Sequence, residues 1–205
     1  MSPDVKNDPI ARQVEWGPVV EGGNNYRTHT RIDEALKIVY KPTFLALVKI
    51  IFITGFLVFF FFDLYNESAS QPLDPIFKLV TACILAAYFY SLSRLFQPRV
   101  FDLNTRVYRY GWRKSEVEIY YLDNKNCISF EHIHAIQLVD EFIETDDRNY
   151  TSTELNLILK DQQRVNVLDH SDKASLFRDA KHLGKVLNKP VWYLSGDTFR
   201  EISPN

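Results

Sequence analysis

The stretch from Thr43 to Phe62 constrains the fold of this chain more than any other feature, because it reads TFLALVKIIFITGFLVFFFF. A helix of about 20 residues, rising about 1.5 Å per residue, spans the hydrocarbon core of a bilayer. A second apolar stretch, Ile76 to Phe96, follows a short acidic loop at 63–75. Helices that are apolar all round and this long are rare in a soluble domain of this size. The sequence therefore predicts a transmembrane hairpin at 43–97.

Composition limits what the rest of the chain can be. The chain has 205 residues, so the hairpin leaves one soluble domain of about 100 residues. The formal net charge of −2 gives no indication of nucleic-acid binding, which needs a clustered basic face. The two cysteines, Cys83 and Cys127, fall in the second apolar stretch and in the soluble part. We therefore expect no disulfide framework.

Basic residues flank the hairpin on both sides, whereas its connecting loop is acidic. By the positive-inside rule we expect both termini in the cytoplasm and the loop outside, in a cell inner membrane. The flanking basic residues are Arg27, Arg31, Lys37, Lys41, Arg94, Arg99, Arg106 and Arg109.

Two segments precede the hairpin. Residues 1–25 lack periodicity and predict an irregular tail. In residues 26–42, Thr28, Thr30 and Ile32 alternate with polar neighbours, which favours short strands. Helical spacing of Ile32, Leu36 and Val39 leaves a juxtamembrane helix as the alternative. We expect the strands to join the soluble sheet, which makes the hairpin an insertion.

Residues 98–194 alternate with a period of two and then end in a helix. The pattern predicts strands near 99–103, 106–110, 116–122, 127–130, 134–145, 153–160 and 164–168. It predicts a helix from Ser171, as N-cap, to Leu187, followed by a packed segment and a tail at 195–205. The expected fold is an α+β membrane protein, a two-helix transmembrane hairpin plus a PH-like antiparallel β domain closed by a C-terminal helix. The apolar stripe of that helix comprises Leu176, Phe177, Ala180, Leu183 and Leu187.

The order of these elements has a counterpart among known proteins. The hairpin is followed by FDLNTRVYRYGWR, ISFEHIHAIQLV, ELNLILKDQQRVNVLDH and a helix that ends in LGKVLNKPVW. Over residues 43–194 this layout resembles the photosystem I assembly factor family, and still more the uncharacterised bacterial membrane proteins of the same layout. The resemblance implies a scaffold or assembly protein with a PH-like domain, and it carries over no catalytic residues.

Histidines are the first candidates for chemistry. His132 and His134 would share one side of a strand and could begin a metal site, but nothing at a suitable spacing completes it. A turn entering a strand is the alternative that we favour, so we predict no metal. His170 precedes the helix, where a pH-sensing role competes with that of an ordinary loop residue. The chain has no nucleotide-binding, hydrolase or zinc-protease motif, so we predict no catalytic residues and no cofactor.

Two kinds of charged residue remain as candidates. Lys49 lies inside the first span, where a charge is either functional or reaches the membrane edge through its flexible stem. A basic set after the hairpin could contact anionic lipid, although the same charges also constitute the positive-inside signal. That set is Arg106, Arg109, Arg113 and Lys114.

These features predict a non-enzymatic, membrane-anchored scaffold or assembly factor that binds a protein partner or its own copies through the cytosolic domain. The alternative is a sensor of anionic lipid headgroups at the cytosolic face. An enzyme with an unrecognised site is the third possibility. The expected partners are membrane lipid and an unidentified membrane protein, with no nucleic acid.

Overall fold

The computed structural model describes residues 5–20, 22–24, 27–67, 75–111, 127–145, 148–195 and 198–202. Within these residues the protein is α+β, with three α-helices and two five-stranded sheets. The predicted strand at 116–122 lies outside the described residues.

The first sheet is antiparallel and follows chain order from β1 to β5. Tyr40 is paired with Arg99, so the strands before and after the hairpin are direct neighbours. Residues 29–42 thus form a strand pair rather than a helix. Its strands are β1 (His29–Glu34), β2 (Lys37–Pro42), β3 (Arg99–Asp102), β4 (Val107–Tyr110) and β5 (Cys127–Ser129).

The second sheet has the order β10-β9-β6-β7-β8. All its pairs are antiparallel except β6 with β9, which run parallel because a helix carries the chain back across the sheet between β8 and β9. Its strands are β6 (Ile133–Glu144), β7 (Asn149–Leu159), β8 (Arg164–His170), β9 (Val191–Ser195) and β10 (Thr198–Ile202).

The main core lies between the two sheets and that crossing helix, α3 (Lys173–Leu187). Leu155 and Leu157 are fully buried on β7 and face the apolar stripe of α3. The predicted stripe is confirmed, since Leu176, Ala180, Leu183 and Leu187 are buried and Phe177 packs beside them. Burying a side chain of this size stabilises the fold by about 1.5–3 kcal/mol.

Both ends of α3 differ from the sequence prediction. The N-cap is Asp172 rather than Ser171, because the Asp172 carboxylate accepts the N–H of Ser175. The helix stops at Asn188, whose φ of 53° is left-handed. It is also not the last element, because β9 and β10 follow it and β10 occupies part of the predicted tail.

The hairpin consists of α1 (Phe44–Glu67) and α2 (Pro75–Leu95). Both helices are long and apolar enough to cross a membrane, with mean hydropathies of 2.6 for Phe44–Leu64 and 1.6 for Pro75–Ser93. Almost none of either span is buried in the protein. At the start of α1 the N–H of Thr43 donates to the carbonyl of Thr28, and the Thr43 hydroxyl accepts the N–H of Ala46. The first span therefore begins directly at the sheet.

Candidate functional site

The two apolar helices attach to the first sheet at one end, where β1 and β3 begin and β2 and β4 end. We call this the helix-proximal end. The guanidinium of Arg99 donates to Nε2 of His29 at 2.6 Å, and Nδ1 of His29 lies 2.9 Å from the Thr28 hydroxyl. Arg99 also lies over the ring of Tyr110, 5.4 Å from its centre. In the sequence Arg99 is recognisable only as a flanking charge, and strand alternation does not distinguish His29 from its neighbours.

Arg106 lies at the opposite end of this sheet, which we call the helix-distal end. Arg99 pairs with Tyr110 and Asp102 with Val107, so the β3–β4 turn that holds Arg106 points away from the helices.

Arg109 has a structural partner. Its guanidinium donates to the buried carboxylate of Asp102 at 3.2 Å. Burial alone would raise the pKa of Asp102, but the N–H of Thr105 and the charges of Lys37 and Arg109 outweigh it and lower the pKa. The structure thus places Arg106 and Arg109 in different surroundings. Arg113 and Lys114 lie outside the described residues.

Within the hairpin, Lys49 is exposed on the surface of α1. The two helices meet at Thr54, whose hydroxyl lies 2.5 Å from that of Tyr88 and also donates to the carbonyl of Ile50.

The two histidines of the H-x-H pair are engaged separately. His132 is exposed in the turn before β6, whereas His134 lies on β6 with Nε2 at 2.8 Å from the carboxylate of Asp8. Burial would raise the pKa of Asp8, but the bond with His134 and the N–H groups of Ala11 and Ile10 lower it. Among the described residues no three metal-ligating side chains come together.

His170, the last residue of β8, is fully buried, and neither ring nitrogen has a hydrogen-bond partner among the described residues. Burial lowers the pKa of His170 to about 4, against an opposing effect of Asp172 and with a further lowering by Arg27. The ring is neutral at physiological pH. It is a deeply buried titratable group rather than the loop residue that the sequence favoured.

The predicted irregular tail is docked on the domain wherever the structure describes it, at 5–20 and 22–24. Residues 5–20 and 22–24, called the N-terminal strap below, cover the face of the second sheet that points away from α3. Trp16 contacts Trp192 with ring centres 6.2 Å apart. The apolar contacts between the strap and the second sheet form a second core of Val5, Ala11, Val14, Ala135, Ile158 and Trp192.

Two glutamates bind the backbone of the strap. The fully buried carboxylate of Glu154 accepts the N–H groups of Val19 and Val20 at 2.7 and 2.8 Å. Glu141 accepts those of Gly22 and Gly23 at 3.1 and 3.2 Å. These bonds compensate for burying a charge on the sheet. The sequence does not indicate either acid as a binding residue, because their partners are backbone groups more than 100 positions away.

The described residues define a class of protein, an α+β domain of two packed sheets that carries two apolar helices between β2 and β3. Comparisons with protein-family models and with curated proteins find no match to this chain.

Proposed function

We propose that this protein is a non-enzymatic scaffold or assembly factor, anchored in a cell inner membrane by α1 and α2. Its PH-like sheet domain binds a protein partner at the cytoplasmic face. The observation that carries the proposal is the contrast between two apolar helices that the protein leaves almost wholly uncovered and a domain whose core is filled. Lipid is the solvent that such helices require.

The attachment of the helices supports a positioning role. β2 and β3 are paired neighbours, and Thr43 bonds to Thr28 at the start of α1. A domain connected through two strands of its own sheet is held near the bilayer in a limited range of orientations. That geometry suits a protein that presents a surface to membrane partners. The resemblance of this layout to that of the photosystem I assembly factor family supports the same role.

The alternative function is recognition of anionic lipid headgroups. It is favoured by Arg27, Lys41 and Arg99, which lie beside the starts and ends of the spans where a membrane surface would be.

One experiment separates the two functions. The full chain is purified from gently solubilised membranes, and bound molecules are identified by native mass spectrometry. A scaffold retains a protein partner in a fixed ratio, whereas a headgroup sensor retains anionic phospholipid without one. Recovery of the bare chain from membranes that contain its native partners would contradict both functions.

Membrane orientation is tested separately in intact cells. A reporter fused after Asn205 is expected to be active in the cytoplasm, and a cysteine introduced at Ser70 is expected to react with an impermeant external reagent. The reverse labelling pattern would overturn the proposed topology.

A further inference from the structure

The helix-distal end contains a cavity that the proposed anchoring does not use. Three turns meet there, joined by backbone bonds from Phe130 to Arg106 and from Lys160 to His132, each 2.9 Å long. The cavity has a volume of about 240 Å³. Its lining combines an apolar floor with polar walls and comprises Ile128, His132, Leu159, Lys160 and Asp161.

Lys160, which lines the cavity, lies close to two further cations, Lys189 and Arg106. Burial lowers the pKa of the Lys189 amine, and the neighbouring charges of Lys160 and Arg106 lower it further. None of these three cations forms an ion pair with another residue in the described part of the chain. Cations that repel one another in this way are stabilised when an anion enters between them.

Two carboxylates lie in the same region. Glu131 raises the pKa of Lys189, but its effect is the smallest of those acting on that amine. Asp161 lines the cavity, where one carboxylate oxygen accepts the N–H of Gln163 and stabilises the turn. Three cations therefore face two carboxylates, one of which is engaged by its own turn.

We propose that this cavity, with Arg106, Lys160 and Lys189 around it, is the docking site for an acidic segment of the partner protein. A glutamate side chain fits both parts of the site, because its methylene stem can lie on Ile128 and Leu159 while its carboxylate meets the amines. The inference rests on the proposed scaffold function and names the surface that performs it.

Position in the fold favours a protein segment over a lipid headgroup. The cavity adjoins the β3–β4 turn, whereas the helices attach at the other end of those strands. Four residues of strand, rising about 3.3 Å each, separate the two ends by roughly 13 Å. The site thus faces away from the membrane surface that the helices define.

The test uses the full chain in nanodiscs of phosphatidylcholine and a fluorescein-labelled hexaglutamate peptide as the probe. We expect saturable binding, measured by fluorescence anisotropy, that weakens as salt is added. Lys160→Glu and Lys189→Glu should each raise the Kd about fivefold or more, with Lys160→Gln intermediate. Lys181→Glu makes the same charge change on the exposed side of α3 and should leave the Kd within about twofold.

Thermal melts confirm that each variant used is folded. Absence of saturable binding, or equal weakening by Lys181→Glu, would overturn the proposed site. A native partner that co-purifies equally with the wild type, Lys160→Glu and Lys189→Glu would refute the docking site while leaving the scaffold function intact. Selective peptide binding by a chain that retains no partner would support the site and refute the scaffold function.

Discussion

This protein has two apolar regions, the sheet core and the hairpin. Both are built from large apolar side chains, but these are buried in the core and exposed on the hairpin. Leu155 and Leu157 are 0% exposed in the core, whereas Phe44 and Phe52 on α1 are 81% and 75% exposed. Exposing a large apolar side chain to water costs about 1.5–3 kcal/mol, so a hairpin covered with such side chains is more stable in an apolar environment than in water. Apolar content alone thus does not identify a core, because the pattern around each element decides which solvent it needs.

The two regions also satisfy their polar groups differently. In the domain, the buried Glu154 is bonded by a strap that is distant in sequence. In the hairpin, helical bonds satisfy the backbone, and the side-chain bond between Thr54 and Tyr88 is local to the helix pair. The effect of a substitution in the domain should therefore extend to segments that are distant in sequence, whereas the effect of a substitution in the hairpin should stay within the hairpin.

The largest expected effect is that of Leu183→Asp, which places a carboxylate among fully buried side chains between α3 and the second sheet. We expect a loss of several kcal/mol in the free energy of unfolding and no cooperative melt by circular dichroism. Lys181→Asp, on the exposed side of α3, is the control and should melt like the wild type. A normal melt for Leu183→Asp would mean that the stripe does not pack on the sheet.

Next is Phe52→Asp, which puts a charge on the outer surface of α1. Membrane insertion should become less favourable by about 3 kcal/mol, because the exposed side chain would face lipid in the proposed anchoring. Alkaline extraction should release more of this variant from membranes than of Phe52→Leu, while the melt of the domain stays unchanged. If the melt falls and the membrane fraction does not, the comparison between the two regions fails.

The variant His170→Leu tests, through the pH dependence of stability, whether the His170 ring is buried in the folded domain. Because the pKa of His170 is lowered from 6.5 to about 4, its neutral form is favoured in the folded chain, and its contribution to stability is complete above pH 6.5. That contribution is lost as the pH falls through 4. Between pH 7 and 4, urea unfolding should show the wild type losing about 2–3 kcal/mol more than the leucine variant. Parallel pH profiles would show that the ring is solvated.

A smaller and more local effect is expected from Glu154→Ala, which removes the acceptor of two strap N–H groups. The cost should be about 1–3 kcal/mol, and amide exchange should accelerate at Val19 and Val20 but not at Leu157. Glu144→Ala, an exposed position on β6, is the matched control. Unchanged protection at Val19 would show that apolar contacts alone hold the strap.

The smallest effect should come from Tyr88→Phe, which removes the hydroxyl bonded to Thr54. Interhelical hydrogen bonds in membranes contribute about 0.6 kcal/mol on average. The free energy of unfolding in detergent should therefore fall by no more than that. Thr54→Val should have a similar effect, and the double variant should add little. Strictly additive losses would indicate that the two hydroxyls do not interact.

The sequence by itself determined the features that depend on local periodicity. An apolar stretch long enough for a bilayer predicted α1 and α2, alternation predicted a strand near 153–160 that the structure has as part of β7, and helical spacing predicted the stripe of α3. In each case neighbouring residues carry the information, since a helix or strand face repeats within a few positions.

Only the tertiary structure decided how distant segments meet. It placed the strap on Glu154, paired β9 in parallel with β6, moved Arg106 to the helix-distal end and enclosed His170. Cations from three separate turns and loops come together there, although the chain shows no basic run. These contacts join residues tens to more than a hundred positions apart, and their energies depend on which surfaces the folded sheets bring together, which local pattern does not encode.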